Sequence, residues 1–116
     1  MANTLQRQII ARALELISAD SSWTGGTLAR DAHRRSCSVA SKAAVRFCAV
    51  GALSRASLEL LGSLDAKLVA EIEADVLAAN GLDHLSLASI NDRAGREIVV
   101  TILQNALRRM RSCSPN

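Results

Sequence analysis

Apolar residues recur at helical spacing over most of this chain, and two polar stretches interrupt them. Leu5, Ile9, Ala13, Leu16 and Ile17 share one face, while Gln6, Arg7, Arg12 and Glu15 fall elsewhere. This spacing predicts a first helix over residues 4–19, capped by Asn3 or Thr4 and ended by Asp20-Ser21-Ser22. A second helix is predicted over 41–61, with Ser41 as N-cap and an all-small stripe of Ala44, Cys48, Ala52 and Ala56. Such a stripe lets another helix backbone come close. Gly51 costs a helix roughly 1 kcal/mol relative to Ala, so it too marks a close approach. The second helix is therefore expected at the centre of the fold. Leu68, Ile72, Val76 and Ala79 predict a third helix over 64–80, capped by Ser63 and stopped by Asn80-Gly81. Val99, Ile102, Leu103, Ala106 and Met110 predict a fourth over 96–111, with Arg108, Arg109 and Arg111 where cations suit the helix dipole.

Residues 20–40 and 82–95 read as irregular. The first stretch carries the most distinctive run of the chain, Trp23-Thr24-Gly25-Gly26-Thr27-Leu28-Ala29-Arg30-Asp31, with the only Trp and a glycine pair of which one takes positive φ. A short helical turn over Thr27–Ala32 fits its composition. The second stretch ends in Ile90-Asn91-Asp92-Arg93-Ala94-Gly95, and Asn91 and Asp92 are N-cap residue types just ahead of the last helix. The pattern as a whole predicts an all-α fold. It is a compact four-helix domain with a long ordered irregular segment between the first and second helices, and with room for a short strand pair between the two irregular stretches. One domain is expected over 1–116, with its core at about 4–110 and a frayed tail at 112–116.

Composition narrows the function classes. The chain is 49% hydrophobic, which argues against disorder, and 2% aromatic with one Pro and no Tyr, which argues against a sandwich or barrel. Cys37, Cys48 and Cys113 show no metal-ligand spacing, and an odd count suits a reducing compartment. Arg7 and Arg12 interrupt any apolar leader, and no window approaches 18 uninterrupted apolar residues, so a cytoplasmic protein without a membrane segment is expected. The net charge of +3 permits an acidic partner without demanding one. The basic runs His33-Arg34-Arg35 and Arg108-Arg109-x-Arg111 would make a phosphate-backbone patch if the fold joined them. However, the one tight helix connection, at 61–63, leads into a helix carrying Glu71, Glu73 and Asp75, which DNA would repel. Nucleic acid thus ranks behind a protein partner or self-association.

Three pieces in order carry a family likeness: Trp23-x-x-Gly26 followed by Ala29-Arg30-Asp31-Ala32; Arg46-Phe47-Cys48-Ala49-x-Gly51-Ala52-Leu53-x-Arg55-Ala56; and Asn91-Asp92. Over residues 5–108 the chain resembles a family of small bacterial and phage proteins known only as a domain of unknown function. The resemblance implies a shared fold and shared polar positions, and no activity. Here Phe47 and Ile90 stand where the family often has Trp, Arg34 where it has Gly, and Glu97 where it has Thr.

The candidate polar cluster is Trp23, Arg30, Asp31, Cys48, Arg55, Asn91 and Asp92. A nucleophilic Cys48 would need a nearby base, and His33 and His84 are the only histidines; otherwise it is a buried small hydrophobe. Arg30 and Asp31 either position an anionic ligand, act in acid–base chemistry or join a buried network, with Arg30 expected to pair with Asp92 or nearby carbonyls and so staple the two irregular stretches. Trp23 is a core plug or a stacking platform, and Arg55 a solvated or interfacial charge. No residue is assigned a catalytic role. No cofactor or metal is indicated, because Gly25-Gly26 lacks the following Gly-Lys-Ser/Thr and no ligand spacing occurs. The expected function is a non-enzymatic interaction or accessory domain; the alternative is a small-ligand binder or enzyme that uses the cluster.

Overall fold

A computed structural model describes residues 2–112. Five helices follow in order: α1 (Ala2–Leu16), α2 (Ala49–Leu61), α3 (Ala66–Ala79), α4 (Leu87–Ala94) and α5 (Arg96–Ser112). Between α1 and α2 lie a 3-10 turn at Asp20–Ser22 and two short strands, β1 (Ala29–Arg30) and β2 (Arg46–Phe47). The strands pair antiparallel, with Ala29 opposite Phe47 and Arg30 opposite Arg46. The all-α architecture with a short strand pair holds. The core is built from Ile9, Ile10, Ala13 and Ile17 of the first segment, Ala52, Leu53 and Ala56 of α2, Ile72 and Val76 of α3, and Val99, Leu103 and Ala106 of α5. Both α2 and α5 touch α1, α3 and α4, so the centre is shared by two helices. The frayed tail expected at 112–116 falls, from residue 113 on, outside the described residues, as does Cys113.

Several boundaries differ from the pattern. α1 ends at Leu16 rather than 19, and both Asn3 and Thr4 lie inside it rather than at its cap. α3 is capped by Asp65, whose carboxylate accepts from Leu68 N at 3.0 Å, not by Ser63. The largest difference is at α2, which starts at Ala49 rather than at 41. The helical stripe does run on to Ala44, which is buried. But Ser38 and Ser41 fold their hydroxyls back onto the amides of Ala40 and Ala43 at 3.1 and 3.0 Å, local turns that compete with helix. Arg55 then takes up the carbonyls of Val39 and Ser41, both at 2.8 Å. What was read as the first turns of a helix thereby becomes turns leading into β2, and β2 rather than residues 82–95 supplies the partner of β1. In turn the expected irregular stretch 82–95 contains α4. A single residue, Gly95 at φ +90°, ends α4 by donating to Asn91 O, and its own carbonyl accepts from Val99 N to open α5.

The close approach at Gly51 is made by the loop carrying Leu28 and not, as the small-residue stripe suggests, by another helix. A Cβ placed on Gly51 would lie 1.9 Å from Leu28 O. That carbonyl is not free to retreat, because it accepts from Cys48 N at 3.1 Å. Gly51→Ala is therefore expected to cost about 3 kcal/mol, and to lower the melting temperature by roughly 12 °C. A wild-type melting curve for this variant would refute the contact.

Candidate functional site

The Trp23 loop reaches β2 and α4 through backbone and side-chain bonds that bring distant residues together. Thr24 N donates to Phe47 O at 3.1 Å, which lays the loop alongside β2. Behind it stands Asn91 of α4, with none of its surface exposed. Its Oδ1 accepts from Trp23 Nε1 at 2.8 Å and from Ala49 N at 3.0 Å. Its Nδ2 donates to Thr24 O at 3.1 Å and to Asp92 Oδ1 at 3.2 Å. A carboxamide offers two acceptor sites and two donors, so all four are used, and the neighbours fix which end is oxygen. Asp92 Oδ1 also accepts from Gly26 N at 2.9 Å. These bonds, led by the Gly26 amide and then by Asn91, hold the Asp92 carboxyl below its ordinary value.

Cys48 is the N-cap of α2 rather than a mid-helix residue. Its Sγ accepts from Gly51 N at 3.2 Å, and burial is the main cause that pushes the thiol above its ordinary value. A thiol so placed is a weak nucleophile at neutral pH.

Of the partners expected for Arg30, the structure shows nearby carbonyls and not Asp92. Its Nε donates to Thr24 Oγ1 at 2.8 Å, its Nη2 to Gly25 O at 3.3 Å and its Nη1 to Arg34 O at 3.0 Å. The two irregular stretches are indeed stapled, but by Asn91 and Asp92 instead of by an ion pair. The carboxamide satisfies a buried N–H of Trp23 and a carbonyl of Thr24, a task for which a guanidinium has no acceptor. Asp31 lies outside this cluster. It accepts from the amides of His33 and Arg35 at 2.8 and 3.0 Å and so closes a local turn. The Arg35 amide above all lowers its carboxyl. Arg34, inside that turn, has φ +66°, an uncommon conformation for a residue with a side chain. Arg55 is also apart from Asn91. Its guanidinium sits 5.8 Å above the Phe47 ring and pairs with Glu59, which Arg12 holds from α1 at 2.6 Å.

Sequence reasoning overlooked Thr24 and Arg46. Thr24 is buried and is shared by Asn91 and Arg30. Arg46 lines a cleft of about 550 Å³ together with Trp23, Gly25, Arg30, Arg34 and Asp20. Both adjoin residues already singled out, Trp23 and Phe47, and neither carries a spacing signal of its own. The two basic runs border different clefts. Arg34 lines the one beside Trp23, whereas Arg108 and Arg109 line another with Asn80 and Asn105. Arg96, which holds Asp20 of the first cleft at 2.8 Å, lies twelve residues before Arg108, roughly 18 Å along α5. The side chain of Arg111 falls outside the described residues. Among those described, no three His, Cys, Asp or Glu side chains gather as a metal site. None of their helices is long and apolar enough to cross a membrane.

Asn91→Ala strands Trp23 Nε1, Ala49 N and Thr24 O at once, so a loss of about 3 kcal/mol or more is expected in chemical denaturation. A loss below about 1 kcal/mol would mean that the network is not the fold's staple. The carboxyls of Asp31 and Asp92 are both lowered in the folded state. Their stabilising contribution is therefore complete above the ordinary carboxylate range of about pH 4, and is lost as pH falls through the lowered values. Asp92→Asn should flatten part of the acid limb of a stability-versus-pH curve; an unchanged limb would contradict the Gly26–Asp92 bond.

No curated protein and no solved structure matches the chain. The model of the DUF6197 family, a family of unknown function, matches residues 1–109. This match spans the Trp23 loop, the start of α2 and the Asn91-Asp92 pair, and on it the chain belongs to the DUF6197 family.

Proposed function

We propose that this chain is a non-enzymatic interaction domain that receives an apolar segment of a partner protein between α4 and α5. The observation that carries the reading is a groove of about 340 Å³ lined by Leu82, Leu85, Ile90, Ala94, Ile98 and Ile102. Leu85 and Ile98 are 45% and 48% exposed there. Covering the exposed half of each stabilises a complex by about 1 kcal/mol. Arg93 stands on the same groove and forms no ion pair among the described residues. The occupant this favours is an amphipathic helix whose apolar face enters the groove and whose acidic residue meets Arg93.

The polar cluster supports the non-enzymatic half of the reading. Asn91 has no hydrogen-bonding capacity left for a substrate, and Cys48 spends its sulfur on a cap. An enzyme built on these groups would have to break the bonds that hold its own loop.

Two measurements test the proposal. With Cys37 and Cys113 replaced by Ser, the remaining Cys48 should resist thiol reagents at neutral pH until the protein unfolds; rapid labelling of the folded form would reinstate a thiol enzyme. Selection of a random peptide library on the folded protein should enrich sequences with apolar residues at i, i+3 or i+4, and i+7 beside an acidic one. Ile98→Asp should abolish their binding at an unchanged melting temperature. Enriched peptides indifferent to Ile98→Asp would sink the groove as the docking surface.

A further inference from the structure

A second cleft shares no lining residue with the apolar groove. We propose that the cleft beside Trp23 binds the phosphate of a small phosphorylated molecule, held by Arg30, Arg34 and Arg46. The three arginines line one cleft, and none of them forms an ion pair with a carboxylate among the described residues. This contrasts with Arg12, Arg55 and Arg96, each of which does. Arg30 spends three of its five N–H groups on Thr24, Gly25 and Arg34 and so is held rigid, with two left over. Arg46 Nε is shielded from solvent and has no hydrogen-bond partner. A buried donor left unpaired is costly, and the guanidinium fork that carries it matches a phosphate in shape and charge. The backbone positions both side chains: Arg30 and Arg46 are directly opposite across the β1–β2 pair. Like charges facing each other in this register repel, unless an anion lies between them. Asp20 is the one acidic lining residue, and Arg96 draws it off.

Volume and lining set the ligand class. A space of about 550 Å³ exceeds a lone phosphate and is open enough for a nucleotide-sized molecule. Trp23, the only tryptophan, borders it and provides a built-in optical probe.

The experiment is a titration of the full chain with inorganic phosphate, pyrophosphate and a nucleoside monophosphate. It is followed by Trp23 fluorescence and by calorimetry at low and at physiological salt. Pyrophosphate is expected to bind more tightly than phosphate, and both to weaken as salt rises. A monophosphate that binds tighter than pyrophosphate assigns the ring of the ligand to the cleft, whereas equal or weaker binding assigns the site to the phosphate alone. Arg46→Gln should weaken pyrophosphate at least tenfold. Arg34→Gly suits the positive-φ turn and keeps the carbonyl that Arg30 uses while removing the side chain; it should weaken binding by a similar factor at an unchanged or higher melting temperature. Asp20→Asn should tighten it, an effect that a purely structural role for these residues does not produce. No heat and no fluorescence change with pyrophosphate overturns the proposal. So does binding that all three variants leave intact, or binding seen with an oligonucleotide only.

Discussion

One buried carboxamide holds this fold in register. Asn91 has four hydrogen bonds to make and no water to make them with, so its neighbours must come to it. They come from three places: the Trp23 loop, the first amide of α2, and its own helix. The same side chain therefore decides where the loop runs, where α2 begins and how α4 faces both. Cys48 and Asn91 divide the start of α2 between them, with the sulfur taking Gly51 N and the amide oxygen taking Ala49 N. A helix N-terminus needs such acceptors, and here one arrives from forty-two residues away.

That distance explains what the sequence could and could not tell. Periodicity located α1, α3 and α5 because each buries a long apolar stripe of its own, as with Ile72 and Val76 or Val99 and Leu103. It also marked Gly51 as a place of contact. It misplaced the start of α2, since the stripe through Ala44 and Cys48 continues in space without continuing as helix. It passed over α4, whose eight residues bury only Leu87 and Asn91. Asn91 and Asp92 read as caps for the next helix because their chemistry is that of caps. They do accept amide donors, but those belong to Ala49 and Gly26. Residue type announced the bond, and only the tertiary fold could name the partner.

Family membership extends the same lesson. The matched span, residues 1–109, takes in the parts the carboxamide ties together: the Trp23 loop, the residues around Cys48 and Gly51, and the Asn91-Asp92 pair. In this chain the motif's hydrogen-bonding groups face one another, and the close contact of Gly51 with Leu28 leaves no gap at that point. The hydrogen bonds of Asn91, Asp92 and Cys48 are made within the fold, and the arginine cleft lies beside them.

Thr24 is where folding and recognition meet. Its carbonyl belongs to Asn91, and its hydroxyl accepts from Arg30 Nε. The buried network thus sets the position of one wall of the arginine cleft. An arginine on a free loop loses much side-chain entropy when it grips an anion. Arg30 has already lost it to Thr24, Gly25 and the Arg34 carbonyl, and that cost is offset by folding rather than by binding. It follows that damage to Asn91 or Thr24 would weaken an anion site and the fold together, so that neither residue can separate the two roles. Arg34 and Arg46 can, because among the described residues the fold asks nothing of Arg34's guanidinium and leaves Arg46 Nε without a partner.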